Sequence, residues 1–287
     1  MITVFTPVYN RANLIGLLYK SLKCQTFTDF EWLIIDDGSS DDIKHVIHSF
    51  IEENILNIRF YTQKNGGKHR AINNGVKHAK GDLFFIVDSD DTIKTNALEQ
   101  LNKYYQQIKE NDNFAGVSGY RCDENGNNIY HLKKMQTIDC SHIEYGYKYE
   151  QKGGLAEAFK TKVMLEFPFP DYINENFCAE SLIWNRISKQ YKIRIFPIDI
   201  YIWNCLEDGL TKGSIMNKMK SPTYAMTIYS ELLQTNIPIL GKIKSAINYW
   251  RFYFCRNLNI PPSVSVLWSI LMPLGYLLHL KDNKLRK

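Results

Sequence analysis

Short apolar runs alternate with stretches of helical periodicity through the first 120 residues. Ile2–Val8 is such a run, rich in β-branched residues and closed by Pro7 and Asn10. Phe30–Ile35, Ile58–Tyr61 and Leu83–Val87 follow, and Phe114–Tyr120 makes a fifth. Continuous apolar runs of this length, bounded by turn residues, predict buried strands. Between them, Leu14, Leu17, Leu18 and Leu22 recur at helical spacing in Asn13–Cys24, as do Ile43, Val46, Ile47 and Phe50 in Asp41–Phe50. Lys68–Ala79, broken by Gly81, and Thr95–Lys109 read as two more helices. Strands alternating with helices of this length predict βαβ units and a mostly parallel sheet. Such sheets hold ligands beyond the carboxyl ends of their strands. Three of the runs end in polar, turn-forming clusters: Thr6–Arg11, Asp36–Ser40 and Asp88–Asp91.

From about 121 to 220 the pattern loosens. Asp123–Asn128 has the composition of a hairpin tip. Leu155–Phe167 and Ser181–Lys189 read as helices, and Ile193–Phe196 and Asp199–Trp203 as short strands on either side of Pro197. After Pro222 the chain reads as helical. The expected domain plan is 1–220, with halves 1–120 and 121–220, followed by a helical region over 221–287.

Composition narrows the class. The 287 residues are 45% hydrophobic and 23% charged, which excludes disordered, collagen-like and coiled-coil chains. The six cysteines, at 24, 122, 140, 178, 205 and 255, form no CxxC pair, so a zinc ribbon is not expected and reduced thiols are. Nothing after Met1 has the basic-then-apolar form of a signal peptide. The net charge of +5 is unevenly spread: residues 242–287 hold eight Lys/Arg and one acid, Asp282. A basic C-terminal part of this kind predicts an anionic partner, membrane lipid ahead of nucleic acid.

The sharpest chemical signal is Asp88-Ser89-Asp90-Asp91. Three carboxylates in four residues repel one another unless a cation or solvent relieves them. They follow Leu-Phe-Phe-Ile-Val, which places them at the end of a buried strand. Oxygen-only ligands suit Mg²⁺ or Mn²⁺, ions that also take substrate phosphate. A helix N-cap would need one Asp rather than three. The EF-hand pattern is missing, with neither its Gly nor its closing Glu in place. Asp36-Asp37-Gly38-Ser39-Ser40 offers acceptors for a base imide or ribose hydroxyls, and is equally readable as a turn. Asn65-Gly66-Gly67-Lys68-His69-Arg70 joins two glycines to three basic side chains at a helix start, a sensible diphosphate or base-edge contact that is also readable as a helix-entry turn with solvated charge. It is not a Walker loop, and no Gly-x-Gly-x-x-Gly, HExxH or Gly-x-Ser-x-Gly pattern occurs. Glu180 precedes the apolar helix start Leu182-Ile183-Trp184, where a carboxylate can serve as a general base or simply complement a helix dipole.

In order along the chain, four motifs resemble those of glycosyltransferase family 2, the inverting, nucleotide-sugar-dependent enzymes of GT-A fold. They are Thr6-Pro7-Val8-Tyr9-Asn10-Arg11, Asp36-Asp37-Gly38-Ser39-Ser40-Asp41, Ala71-Ile72-Asn73-Asn74-Gly75, and Asp88-Ser89-Asp90-Asp91 in the place of the DXD motif. Weaker likeness continues through Glu180-Ser181-Leu182-Ile183-Trp184 and Asp208-Gly209-Leu210-Thr211. The resemblance implies an α/β, Rossmann-like, mostly parallel sheet flanked by helices, with a helical C-terminal extension. It implies a nucleotide pocket at Thr6, Pro7, Tyr9, Arg11, Asp36, Asp37, Lys68, Asn73, Asp88 and Ser89. Within it Asp37 would read the base, Asp88 face the ribose, and Asp90, with Asp88, hold Mn²⁺ or Mg²⁺ against the diphosphate. Glu180 would be the catalytic base. Ile72 stands where many members carry Arg, and Lys68 lies one helix turn earlier; Glu180-Ser181 replaces the common Glu-Asp. The donor implied is a nucleotide sugar, UDP-linked by analogy, and the acceptor a lipid-linked saccharide in bacterial surface-polysaccharide assembly.

The last part of the chain fits that setting. Between Arg256 and Lys281 lie 24 residues without a charged side chain, interrupted by Pro261, Pro262 and Pro273. Upstream, Ile243, Ile247, Trp250 and Phe254 recur at helical spacing among Lys242, Lys244, Arg251 and Arg256. Docking on the cytoplasmic membrane surface is the leading expectation, ahead of a span, a re-entrant hairpin or packing on the core, and no nucleic-acid contact is expected. Two other classes fit less well: a sugar nucleotidyltransferase opens with a Gly-rich loop absent here, and a non-catalytic adaptor would not need three Asp at a strand end.

Overall fold

The computed structural model describes residues 1–127, 136–151, 154–204, 213–256 and 263–285. The chain forms two compact units, Met1–Pro168 with Arg186–Asn204, and Phe169–Asn185 with Cys205–Lys287.

The first unit is built on one sheet. β1 (Ile2–Val8), β2 (Phe30–Asp36), β3 (Ile58–Thr62) and β4 (Leu83–Ile86) lie parallel in the order β3-β2-β1-β4. Every residue of β1 and β2 is buried, as continuous apolar runs require of strands covered on both faces. The helices α1 (Ile15–Lys23), α2 (Ile43–Glu52), α3 (Lys68–His78) and α4 (Ala97–Gln106) alternate with and follow these strands. Stacked rings, Tyr19 on Phe50 at 4.0 Å and Tyr19 on Trp32 at 6.1 Å, join α1, α2 and β2. Beside them Glu31, fully buried, accepts from Thr3 Oγ1, the Lys80 amide and the Arg59 guanidinium. That satisfied ion pair ties β1, β2, β3 and the end of α3 together.

The rest of the sheet is mixed. β5 (Thr92–Ile93), β6 (Phe114–Cys122), β7 (Ile138–Cys140), β8 (Leu155–Lys160) and β9 (Lys192–Ile202) continue the order as β4-β8-β6-β9-β5, with β7 also on β9. β8 runs antiparallel between β4 and β6. The expected helix over Leu155–Phe167 is therefore corrected: Leu155–Lys160 is a strand, and only α6 (Thr161–Glu166) is helical. Ala, Glu, Leu and Lys favour helix intrinsically, but pairing on both edges in the sheet interior outweighs a fraction of a kcal/mol per residue. The two strands expected around Pro197 are one, β9, in which the register against β6 slips between Ile195 and Asp199. A bulge is where a sheet accommodates proline. The helix expected over Thr95–Lys109 is observed as α4, Ala97–Gln106, after Thr92–Ile93 has paired with β9. α5 (His142–Tyr147) was not anticipated, although its Ser141-x-x-Glu144 capping box was readable in the sequence.

The second unit holds α7 (Ser181–Ile187) up to Asn185 and, beyond Gly213, its regular elements among the described residues are all helices. These are α8 (Ser214–Lys220), α9 (Pro222–Leu233), α10 (Ile239–Tyr253), a 3₁₀ helix (Val266–Leu271) and α11 (Met272–Leu285). Buried Glu175 accepts from the amides of Thr223 and Tyr224, so its carboxylate caps α9 where the helix dipole is positive. Trp250, Phe252 and Tyr249 of α10 are buried with Met226 and Ala225 of α9. The apolar positions expected to give α10 a membrane face are therefore partly spent on helix packing.

Candidate functional site

The strand order puts β1 between β2 and β4, so successive connections leave β1 in opposite directions. Open α/β sheets hold ligands at such a switch point, outside the carboxyl ends of the strands. The segments leaving β1, β2, β3 and β4 carry Thr6–Arg11, Asp36–Asp41, Asn65–Arg70 and Asp88–Asp91. All four polar clusters of the sequence thus share one rim of the first unit.

Hydrogen bonds lock the first two clusters to each other. Asn10, at φ 52°, accepts through Oδ1 from the Ser40 amide at 2.8 Å, and its own amide donates to Ser39 Oγ at 2.9 Å. The Ala12 amide donates to Asp41. Asn tolerates this left-handed conformation because its short side chain bonds locally. Asp36 accepts from the Ser39 amide through Oδ1, while its buried Oδ2 has no hydrogen-bond partner among the described residues. Gly38, at φ 75°, completes the turn, and a Cβ there would meet the Asn65 amide nitrogen at 2.8 Å.

Asp37 joins the second cluster to the third. Its carboxylate accepts from Gln63 Nε2 at 2.8 Å, the Gly66 amide at 2.9 Å and the Gly67 amide at 2.7 Å. The amides of the two glycines that open the third cluster are thus directed at Asp37. Thr6 is fully buried, its hydroxyl accepting from the Trp32 indole, and Pro7 is buried with it. Tyr9 is half exposed, and Asn73 partly buried. Ile72 lies in the core.

The fourth cluster carries the charge. Lys68 Nζ lies 2.6 Å from Asp88 Oδ1, and Arg11 Nε 4.0 Å from Asp90 Oδ2. Burial raises the Asp88 pKa, but Lys68 and Arg121 outweigh it, and the carboxyl is held below its ordinary range. Asp90 is pushed up, first by burial and then by the Asp88 charge. Asp91 is pushed up to about 7 by burial and by Asp88. Its oxygens accept from the Tyr201 hydroxyl at 2.6 Å and the Asn204 amide at 2.8 Å. The same Tyr201 oxygen accepts from the Asp88 amide at 3.1 Å, and Asn204 Nδ2 donates to the Asp90 carbonyl at 2.7 Å. The Arg121 guanidinium lies 4.5 Å from the centre of the Tyr201 ring. Ser89 is buried. Asp91 is therefore bound into the protein, whereas Asp88 and Asp90 are the partly exposed pair.

That pair fits a divalent cation. Its donors are oxygens, and the charge of one carboxylate raises the pKa of the other, a strain that a cation relieves. Among the described residues no group of three His, Cys, Asp or Glu is arranged to hold a metal by itself, so such an ion would complete its shell with ligand phosphate or water.

Tyr201, Asn204, Arg121 and Gln63 escaped the sequence reading. Tyr201 and Asn204 close the strand-forming stretch after Pro197, but nothing local marks them as partners of Asp88–Asp91. Glu180 belongs to the second unit, immediately before α7, where its carbonyl accepts from the Ile183 and Trp184 amides. Its side chain is partly buried. Asp208–Thr211 lies outside the described residues.

The model of Glycosyl transferase family 2 matches residues 3–166. An uncharacterized glycosyltransferase of Haemophilus influenzae is 31% identical over 265 residues, 88% of this chain and 94% of that protein. Glycosyltransferase GlyG of Streptococcus pneumoniae is 34% identical over 132 residues, 45% of this chain and 42% of its own length. A GalNAc(5)-diNAcBac-PP-undecaprenol beta-1,3-glucosyltransferase of Campylobacter jejuni is 32% identical over 123 residues, 41% of this chain and 37% of its own. The chain thus spans less than half of the last two. Among solved structures, S. aureus TarS in complex with UDP-GlcNAc superposes with a TM-score of 0.65 at 18% identity, covering 88% of this chain and 72% of TarS. That likeness confirms the expected α/β, GT-A type of architecture.

Proposed function

Because this chain belongs to Glycosyl transferase family 2, we propose that it transfers a sugar from a nucleotide diphosphate donor to a hydroxyl of a saccharide acceptor, inverting the anomeric centre. The observation that carries the reading is the gathering of four polar clusters on one rim of the sheet, with Lys68 and Arg11 against Asp88 and Asp90. A UDP-sugar is the donor we favour, in keeping with the UDP-GlcNAc held by TarS. The acceptor we favour is lipid-linked, in keeping with the undecaprenol-linked chain named for the Campylobacter relative, and places the enzyme at the inner face of a membrane.

Asp88 and Asp90 would hold Mn²⁺ or Mg²⁺, which supplies positive charge to the departing diphosphate. Lys68 and Arg11, beside those carboxylates, would offer the phosphates charge-assisted hydrogen bonds. The hub at Asp37 fixes the turn that carries Lys68, so this cation is positioned before the donor arrives. Tyr201, Asn204 and Arg121 fix the backbone of Asp88–Asp91. Glu180 takes the proton of the acceptor hydroxyl while that oxygen bonds to the anomeric carbon from the face opposite the leaving diphosphate. The bond from that carbon to the diphosphate oxygen breaks, and its electron pair leaves with the nucleotide.

Calorimetry with UDP, dTDP and GDP, each with and without Mn²⁺, tests this reading. Binding of one nucleotide that strengthens with Mn²⁺, and loses that gain in Asp90→Asn, is expected. A folded protein that binds none of the three would overturn it.

A further inference from the structure

The second unit carries an apolar surface that its own packing does not use. Val266, Leu267 and Ile270 of the 3₁₀ helix are 86%, 72% and 79% exposed, and Leu277 of α11 is 61% exposed. Leu274 and Leu280 are exposed as well. Large apolar side chains exposed so closely along the chain point to an interaction surface.

α11 has two distinct faces. Gly275, His279 and Asp282 recur at spacings of four and three and lie toward α10. A Cβ on Gly275 would meet Trp250 Cβ at 2.4 Å and the Arg251 amide nitrogen at 2.9 Å, so the two helices touch backbone to side chain there. Asp282, buried, takes both Nε and Nη2 of Arg251, and Cys255 Sγ lies 3.3 Å from His279 Nδ1. Trp250 Nε1 donates to the Trp268 carbonyl at 2.8 Å, fixing the 3₁₀ helix to the same support. Leu274, Leu277, Lys281 and Lys284 recur at three, four and three on the opposite side. Leucines are thus followed by lysines along one outward stripe, and all four are exposed.

We infer that this stripe, with Val266, Leu267 and Ile270, docks on an anionic bilayer surface, the leucines entering the headgroup boundary and the lysines meeting lipid phosphate. The inference deepens the membrane part of the proposed function and rests on it. Charge complementarity selects the occupant. Among the described residues of the segment, Lys244, Arg256, Lys281 and Lys284 are exposed, while its one acid, Asp282, is buried against Arg251. Crossing the bilayer is not required: no helix of the described residues is long and apolar enough to do so. The 14 residues of α11 rise only about 21 Å, short of a hydrocarbon core of about 30 Å. The exposed Val266, Leu267 and Ile270, with the lysines that follow on α11, suit the interface plane instead.

Flotation of the full chain with vesicles of phosphatidylglycerol or of phosphatidylcholine tests the inference, with UDP binding measured on the same preparation. Binding to the anionic vesicles that weakens with salt, and falls at least ten-fold in Leu267→Glu/Ile270→Glu with UDP binding unchanged, is expected. These side chains are exposed, so the variant keeps its core. Equal binding to both lipids, binding to neither, or a variant that floats like the parent would overturn the inference. So would a dimer in sedimentation that the double substitution dissociates, since the face would then be a self-association surface. Vesicle binding without nucleotide binding would instead fault the transferase reading and leave the docking face standing.

Discussion

At the scale of single residues, four acidic side chains on one rim have been given four different tasks by their neighbours. Asp37 is a structural acceptor for three N–H groups. Asp88 is held ionised by Lys68, Asp90 is crowded by Asp88, and Asp91 is sealed under Tyr201 and Asn204. The raised Asp91 pKa has a consequence for stability. A carboxyl with a folded pKa of about 7 and an ordinary unfolded one favours the folded state below about pH 4, and loses that contribution as pH climbs to about 7. Compared with Asp91→Asn in EDTA, the native chain is expected to lose stability across that window, read by thermal unfolding at steps of pH. A difference that stays flat from pH 4 to 7 would place Asp91 in the ordinary carboxylate range. The acids themselves were legible in the sequence because each cluster is local and ends an apolar run. Their separate tasks were not, because the deciding partners come from far along the chain: Gln63 for Asp37, and Tyr201 and Asn204 for Asp91.

Among the elements, the parallel half of the sheet follows from its apolar runs, whereas β8 does not, since its residues prefer helix until two strands claim its edges. The same limit hid the Glu175 cap on α9, a contact between a loop and a helix some fifty residues later. Packing between α3 and β1 gives an element-scale prediction. A Cβ on Gly75 would meet Phe5 Cε2 at 2.1 Å, and Phe5 is itself stacked on Phe84 at 4.8 Å. Gly75→Ala therefore overpacks the contact and is expected to cost about 1–3 kcal/mol in denaturant unfolding. It should also weaken UDP binding, because α3 carries Lys68. Unchanged stability would mean that the helix can lift from the sheet without penalty. Gly75 lies within the Ala71–Gly75 motif, so the motif has a packing role beside any contact with the donor.

Across the whole molecule, the four clusters belong to the first unit and Glu180 to the second. The family match, at residues 3–166, also stops short of Glu180. The two halves of the proposed chemistry should therefore separate by mutation. Glu180→Gln is expected to leave the UDP dissociation constant within about two-fold while lowering turnover by roughly 10²–10⁴-fold, the usual worth of a positioned base. Steady-state rates beside calorimetry check this, and near-native turnover would move the base elsewhere.

The pairing of β4 with β8 also bears on how the chain is made. Leu83 waits for Lys160, and Phe85 for Ala158, before the fourth strand has a neighbour on its second side. At a synthesis rate of roughly 5–20 residues per second, the ribosome needs about 4–15 s to supply them. During that interval the nascent chain presents Leu-Phe-Phe-Ile as an open strand edge, the form most prone to pair with another chain. Holdase chaperones acting on the emerging chain would find their substrate in that interval, and a truncation ending before Leu155 would keep the edge open permanently.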